Sequence, residues 1–297
     1  MKVRPTQTRI LLLFGLTAIY ALCFAAIKAG LPFAPPLLFG GLRALIGGVP
    51  LLGLAIALRQ PLLPPRGSWG WILALASTGI TLAFGAMFLS PGRAGVGIAS
   101  VLGNSQPLIV VVLAAIFLGE RMTRSKWLTL TLGLVGVTLI SSQVLAGPDA
   151  YGLSGMALAL AASAGASAAS VIFKRMSIPV NLLVITAWQL IFGSLPLLAV
   201  SVLIERDTQV IWNVQFVGLL LFLALVGTSF ANAVWYWLIQ RDEVGRLTMF
   251  FFLVPIFGLG IAALAFGERI SPLEGVGSVL TIAGISVATR ESRMAGH

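Results

Sequence analysis

The chain has 297 residues, of which 58% are hydrophobic and 9% are charged, and its formal net charge is +10. A typical soluble domain carries roughly 25% charged residues, so this composition excludes an ordinary soluble globular protein. The Lys and Arg residues lie between apolar runs and form no continuous basic face, which argues against a nucleic-acid partner. Several runs reach the length of about 20 apolar residues that a helix needs to cross a bilayer. The composition therefore predicts an all-α integral membrane protein embedded in the lipid bilayer.

Ten membrane-spanning helices are predicted in chain order, joined by short connections that are rich in turn residues. No early stretch resembles a removable signal peptide, because the apolar run that begins at Ile10 is long enough to span and no clear cleavage site follows it. Cys23 is the single cysteine, so no intrachain disulfide forms. The predicted spans are 9–29, 36–58, 69–89, 94–118, 126–145, 152–173, 180–203, 214–238, 245–267 and 272–289.

The positions of the basic residues predict the orientation. With a cytoplasmic N-terminus, fourteen of the 19 Lys and Arg residues fall on the inner side, and Arg43 falls within a span. Because Lys and Arg concentrate on the cytoplasmic side of membrane proteins, both termini are expected to be cytoplasmic. The four basic residues on the outer side are Lys28, Arg93, Arg206 and Arg269.

A repeat relates the two halves of the chain. A shift of 148 residues places LGERMT at 118–123 over FGERIS at 266–271 and Pro107 over Pro255. A shift of 146 residues places Gly47 over Gly193. Each half holds five helices, and because five is odd the second half enters the membrane in the opposite direction. The sequence therefore predicts an inverted-topology repeat, with halves 1–145 and 146–297.

The repeated Gly-Glu-Arg combines the end of one helix with the start of the next. Gly119 and Gly267 suit a left-handed helix end, and Thr123 and Ser271 suit the N-cap of the following helix. SPLE at 271–274 adds a proline at the first helical position and a glutamate for a capping box. The charged residues between them are either interfacial anchors and turn caps or a latch that seals each face in turn. They are Glu120, Arg121, Glu268 and Arg269.

The segments PLIVVVLAAIFLGERMT (107–123) and PIFGLGIAALAFGERIS (255–271) resemble the EamA family of the drug/metabolite transporter superfamily. The resemblance covers essentially the whole chain, and within the family the chain is similar to the YddG-type amino-acid exporters of bacterial inner membranes. It implies two inverted five-helix repeats around a central cavity that is lined by spans 1, 3, 4, 6, 8 and 9. A small-molecule substrate is the implied partner.

Polar side chains inside spans are the candidate substrate contacts, because each is costly without a partner or water. Hydroxyl groups either bond their own turn or a neighbouring helix, or they contact substrate. The amides of Asn104 and Asn232 have too many hydrogen-bonding groups to satisfy within one turn, so they either line the cavity or join helices. The predicted substrate-binding residues are Tyr20, Thr81, Ser100, Asn104, Ser163, Ser229, Asn232, Tyr236 and Thr248.

Two further features leave alternatives open. The aromatic runs VWYWL (234–238) and MFFFL (249–253), with Tyr20 and Phe24, form either an apolar wall for a hydrophobic side chain or a lipid-facing surface. Arg43, inside span 2, either extends toward the outer end of its helix or pairs with a substrate carboxylate.

Within the predicted spans the only Asp, Glu or His is Glu274, which lies in the first turn of span 10, and proton relays usually need such a group in the membrane interior. No Walker lysine is present either, so ATP-driven transport is not expected. The sequence thus predicts a facilitator that exports amino acids, aromatic or hydrophobic ones included, or related metabolites by alternating access. It needs neither cofactor nor metal and acts as a monomer or homodimer, with Glu120 and Glu268 the remaining coupling sites.

Two other functions are weighed against this one. A proton-coupled multidrug or organic-cation exporter should have an intramembrane carboxylate, and the interiors of the predicted spans contain none. An intramembrane enzyme needs a nucleophile–base pair or metal ligands within the spans, and His, Asp and Glu are missing from the interiors of the predicted spans.

Overall fold

The computed structural model describes residues 7–90, 102, 105–140, 153–176, 181–206, 209–266 and 271–294. Within these residues the chain forms helices and turns, with no β-strand. In chain order the helices are α1 (Gln7–Gly30), α2 (Pro36–Ala57), α3 (Arg66–Leu89), α4 (Gln106–Leu118), α5 (Arg124–Ile140), α6 (Leu153–Arg175), α7 (Leu182–Ile204), α8 (Val214–Ile239), α9 (244–266) and α10 (Pro272–Met294).

Seven helices of the described part are long and apolar enough to cross a membrane, namely α1, α2, α3, α6, α7, α8 and the first 18 residues of α9. Large apolar side chains such as Leu11, Ile116 and Val202 lie exposed on the helix surfaces. Exposed apolar side chains are stable against lipid and not against water. The prediction of an all-α integral membrane protein is therefore confirmed.

Three helices change their winding along their length. α3 is a π-helix over Ala76–Leu82 and α8 is one over Phe222–Phe230. α9 tightens to a 3-10 helix over Met249–Phe252. In α8 the hydroxyl of Thr228 donates to the carbonyl oxygen of Leu223, five residues earlier, at 2.8 Å. Such segments occur often at functional sites because they redirect side chains and free backbone groups.

The most extensive helix contacts join α2 to α7 and α5 to α10. Between α5 and α10 the backbones approach so closely that a Cβ on Gly277 would lie 2.5 Å from the carbonyl oxygen of Gly136. The hydroxyl of Thr129 on α5 also donates to the carbonyl oxygen of Gly284 at 2.8 Å. Small residues and hydroxyl bonds of this kind hold helices together in lipid, where the hydrophobic effect does not.

The predicted helix ends around Gly-Glu-Arg are confirmed where the structure describes them. Gly119 ends α4 with a left-handed φ of 66°, and Thr123 Oγ1 accepts the amide of Lys126 at 3.2 Å. Before α10, the amide of Ser271 donates to Glu274 Oε2 at 2.7 Å and the amide of Glu274 donates to Ser271 Oγ at 3.3 Å. This reciprocal pair is the predicted capping box. Gly267 lies outside the described residues.

Replacing Ser271 by Ala is expected to remove the bond that Ser271 Oγ accepts from the amide of Glu274 and to lower the free energy of unfolding by about 1 kcal/mol. The midpoint temperature of thermal unfolding of the purified protein should fall by roughly 3 °C. Ser278→Ala is the matched control, because that hydroxyl bonds only the Glu274 carbonyl oxygen of its own helix. Equal shifts in the two variants would show that the cap does not stabilise α10.

Candidate functional site

Aromatic side chains from α1, α8 and α9 meet in the core of the structure. The rings of Tyr20 and Phe251 are 5.4 Å apart in an edge-to-face arrangement, and those of Trp235 and Phe251 are 4.8 Å apart. Phe24 instead is 46% exposed on the helix surface. The aromatic runs thus divide: Tyr20, Trp235 and Phe251 form an inner cluster, while Phe24 faces outward.

A second group of buried polar and aromatic side chains ties α8 to α6 and α7. Tyr236 stacks on Phe173 with ring centroids 3.9 Å apart, and its hydroxyl donates to Gln189 Oε1 at 2.7 Å. The indole of Trp235 donates to Ser170 Oγ at 3.2 Å. The sequence reasoning missed Gln189, although a buried amide within span 7 carried the same signal as Asn232.

Asn232 differs from its neighbours on α8. Ser229 is buried and its hydroxyl donates to the carbonyl oxygen of Gly47 at 2.5 Å, so its hydrogen-bonding capacity is used within the protein. Asn232 is half-buried and forms no hydrogen bond with the described residues. A role of this amide in substrate binding stays a prediction. Asn104 and Ser100 lie outside the described residues.

The other predicted hydroxyls bond backbone carbonyl oxygens. Thr81 donates to Gly193 on α7 at 2.9 Å, and Ser163 donates to Leu102 at 3.0 Å. Thr248 bonds the carbonyl oxygens of Val244 and Gly245 in its own helix, both at 3.0 Å. These contacts hold helices in place, and a role of the three residues in substrate binding stays a prediction.

Thr81 also lines a recess of about 370 Å³ between α2, α3, α6 and α7. The recess is almost entirely apolar, and Ser77 and Thr81 supply its hydroxyl groups. Leu82 and Ile204, which help to line it, are 44% and 65% exposed. The recess therefore belongs to the apolar outer surface of the helix bundle.

Arg43 is buried inside the bundle, with 4% of its surface exposed. Its Nε donates to Thr228 Oγ1 at 2.7 Å, and Nη2 donates to the carbonyl oxygen of Gly227 at 3.2 Å. Its guanidinium carbon lies 4.6 Å from the ring centre of Phe84. The interpretation that Arg43 extends toward the end of its helix is wrong, because its partners lie on the π-helical stretch of α8.

A charged network joins the end of α4 to the start of α9. Glu120 Oε1 accepts the amide of Val244 at 2.7 Å, Oε2 accepts that of Gly245 at 3.1 Å, and Oε2 pairs with Lys126 Nζ at 3.4 Å. Lys126 also pairs with Glu243 at 3.2 Å. A carboxylate is favourable at a helix N-terminus because the unpaired amides there carry partial positive charge. The sequence reasoning found Glu120 but missed Lys126.

The remaining hairpin residues have simpler surroundings. Arg121 is exposed, Pro107 lies in the first turn of α4, and Pro255 follows the 3-10 segment of α9. Glu268 and Arg269 lie outside the described residues.

Comparison with known proteins assigns the chain to a family. The sequence model of the EamA-like transporter family matches residues 7–142 and, a second time, residues 153–290. The chain belongs to this family. The uncharacterized transporter YoaV of Bacillus subtilis is 29% identical over a region that covers 93% of this chain and 95% of the YoaV chain. Members of the EamA-like family are transporters and not enzymes, so the protein is a membrane transporter of small molecules.

Two other relatives have names that mention a solute. A probable amino-acid metabolite efflux pump of Salmonella typhimurium is 28% identical over 91% of this chain and 90% of its own. The Escherichia coli protein of the same name is 26% identical over the same shares. A solved crystal structure matches the fold with a TM-score of 0.79 at 19% identity, over 96% of this chain and 99% of its own.

Proposed function

We propose that this EamA-like transporter exports amino acids or related small metabolites across the bacterial inner membrane by alternating access, as a facilitator without proton coupling. The observation that carries the proposal is the double family match, one in each half of the chain. Two relatives named as amino-acid metabolite efflux pumps support the solute class. Alternating access suits two matched halves, because one half can rock against the other around a fixed site.

Mirrored contacts support two inverted five-helix repeats, 1–145 and 146–297. Ten spans would place both termini on the same side of the membrane, and the distribution of Lys and Arg favours the cytoplasmic side. Thr81 on α3 donates to the carbonyl oxygen of Gly193 on α7, and Ser229 on α8 donates to that of Gly47 on α2. Thr81 and Ser229 are 148 residues apart, and Gly47 and Gly193 are 146 apart. The π-helical segments Ala76–Leu82 and Phe222–Phe230 also overlap after a shift of 148 residues.

The inner aromatic cluster supports a solute with a hydrophobic or aromatic side chain. Tyr20, Trp235 and Phe251 supply an apolar surface, and the amide of Asn232 is free to bond a polar group. Sites for small solutes combine apolar walls with a few convergent polar groups. Phenylalanine is accordingly the first solute to test.

The test is uptake of labelled phenylalanine into liposomes that hold the purified protein, with and without an imposed pH gradient. Saturable uptake at the same rate in both conditions is expected, because no carboxylate or histidine lies in the interior of a predicted span to carry a proton. Liposomes without protein supply the background. Uptake that requires the gradient would contradict the facilitator and point to Glu120 and Glu268, and absence of uptake for every amino acid would contradict the solute class.

A further inference from the structure

The buried charge of Arg43 has no carboxylate partner within the part of the chain that the structure describes. A guanidinium stays protonated in proteins, and a charge held away from water is costly unless it is paired. Among the described residues no Asp or Glu forms an ion pair with Arg43. Glu205, near the start of α2, uses its oxygens to accept the amides of Leu37 and Leu38 at 2.9 and 3.1 Å. Among the described residues, therefore, no carboxylate neutralises this interior charge.

The contacts of Arg43 leave one edge of the guanidinium unused. Nε and one hydrogen of Nη2 are taken by Thr228 and Gly227. Nη1 is buried and has no hydrogen-bond partner within the described part of the chain. Both hydrogens of Nη1 and the second hydrogen of Nη2 remain, and together they form the planar fork that binds a carboxylate through two parallel hydrogen bonds.

Arg43 adjoins the inner aromatic cluster. Nη2 and Cys23 Sγ both lie against Gly227, which places the guanidinium beside α1. Tyr20 lies one helical turn before Cys23 on α1, and its ring meets Phe251. The rings of Phe84 and Phe88 on α3 also lie near the guanidinium, with their centres 4.6 and 6.0 Å from its carbon.

We propose that Arg43 binds the carboxylate of the transported solute through its free Nη1–Nη2 edge, and that the transporter selects solutes carrying a carboxylate over amides and organic cations. The inference rests on the proposed function for the identity of the solute. Because Nη1 is shielded from solvent here, the carboxylate reaches it when α1 or α3 moves aside, as alternating access requires. The carboxylate then neutralises the buried charge, so the site favours an anion and repels a cation.

The repeat supplies a natural substitution for the test. The shift of 146 residues that places Gly47 over Gly193 also places Arg43 over Gln189, which is buried in α7 and bonded to α8 through Tyr236. Glutamine is thus accommodated at the corresponding position of the other half. Arg43→Gln removes the charge and keeps a polar side chain, whereas Arg43→Lys keeps the charge and loses the fork.

The experiment measures equilibrium binding to the purified full-length protein in detergent, from the fluorescence of its tryptophans. The three probes share the phenyl ring. L-Phenylalanine has both an amino group and a carboxylate, 3-phenylpropionate has the carboxylate without the amino group, and L-phenylalaninamide has the amino group without the carboxylate. The unaltered protein is expected to bind the first two at least about 10-fold more tightly than the amide. In Arg43→Gln this preference should vanish, and in Arg43→Lys it should be intermediate. Arg206→Gln, at an exposed arginine at the end of α7, should preserve it.

Each outcome separates this inference from the function on which it rests. Carboxylate-selective binding without transport of any amino acid would contradict the proposed function and leave the role of Arg43 standing. Equal binding of the amide and phenylalanine by the unaltered protein, or an unchanged preference in Arg43→Gln, would overturn the role of Arg43. If Arg43→Gln does not fold, Arg43→Lys provides the test. A preference for the carboxylate in Arg43→Lys equal to that of the unaltered protein would contradict binding through the Nη1–Nη2 edge.

Discussion

Replacing Gly47 by Leu is expected to lower the midpoint temperature of thermal unfolding by roughly 10 °C, equivalent to about 3 kcal/mol. A Cβ at this position would lie 2.9 Å from the carbonyl oxygen of Ala224 and 3.1 Å from Ser229 Oγ. The carbonyl belongs to the π-helical backbone of α8 and cannot rotate away as a side chain would. The added side chain would also part Ser229 from the Gly47 carbonyl oxygen, which now accepts its hydroxyl at 2.5 Å.

The control for this prediction lies on the same helix. Gly53 has no atom within 4 Å of a Cβ built on it, so Gly53→Leu should leave the midpoint within about 2 °C of the unaltered protein. Gly193→Leu tests the mirrored contact, where a Cβ would lie 2.9 Å from the carbonyl oxygen of Ala76 in the π-helical part of α3. A midpoint unchanged by Gly47→Leu, measured by monodispersity after heating, would show that α2 and α8 do not pack this closely.

Local chemistry made the helix ends predictable. Gly119 adopts the left-handed conformation that favours glycine, and Ser271 and Glu274 form reciprocal bonds across three residues. Each of these features depends on residues adjacent in the chain, so sequence carries all the information needed. The membrane class was predictable for a similar reason, since span length and apolar content are properties of each segment alone.

The surroundings of Arg43 and the π-helical segments depend on neighbours that are distant in sequence. The sequence predicts how deep Arg43 lies along α2. It does not predict that the side chain bonds Gly227 and Thr228. The sequence of residues 222–230 predicts an ordinary apolar α-helix. The hydrogen bonds from the hydroxyls of Thr228 and Ser229 to carbonyl oxygens five residues earlier form only in the folded structure. Which hydroxyls bond a neighbouring helix was equally hidden, because Thr81 and Thr248 look alike in sequence and bond differently.

Replacing Glu120 by Gln is expected to increase the fraction of molecules in which the contact between α4 and α9 is open. The carboxylate now accepts the amides of Val244 and Gly245 and pairs with Lys126. Glutamine keeps one acceptor oxygen but loses the charge that favours the helix N-terminus and the ion pair. A loss of about 1.4 kcal/mol would raise the population of the open form about 10-fold.

The opening can be measured with a cysteine placed at Val111 in a Cys23→Ala background, which is otherwise free of thiols. Val111 is buried on α4, and a Cβ on Gly245 of α9 would lie 3.2 Å from its side chain. In nanodiscs, Glu120→Gln should increase the rate of labelling by a polar maleimide about 10-fold. Arg121→Gln changes the charge of the adjacent, exposed residue and should not alter that rate. Equal rates in all three proteins would favour turn capping over the latch, because capping alone predicts lower stability without faster opening of this face.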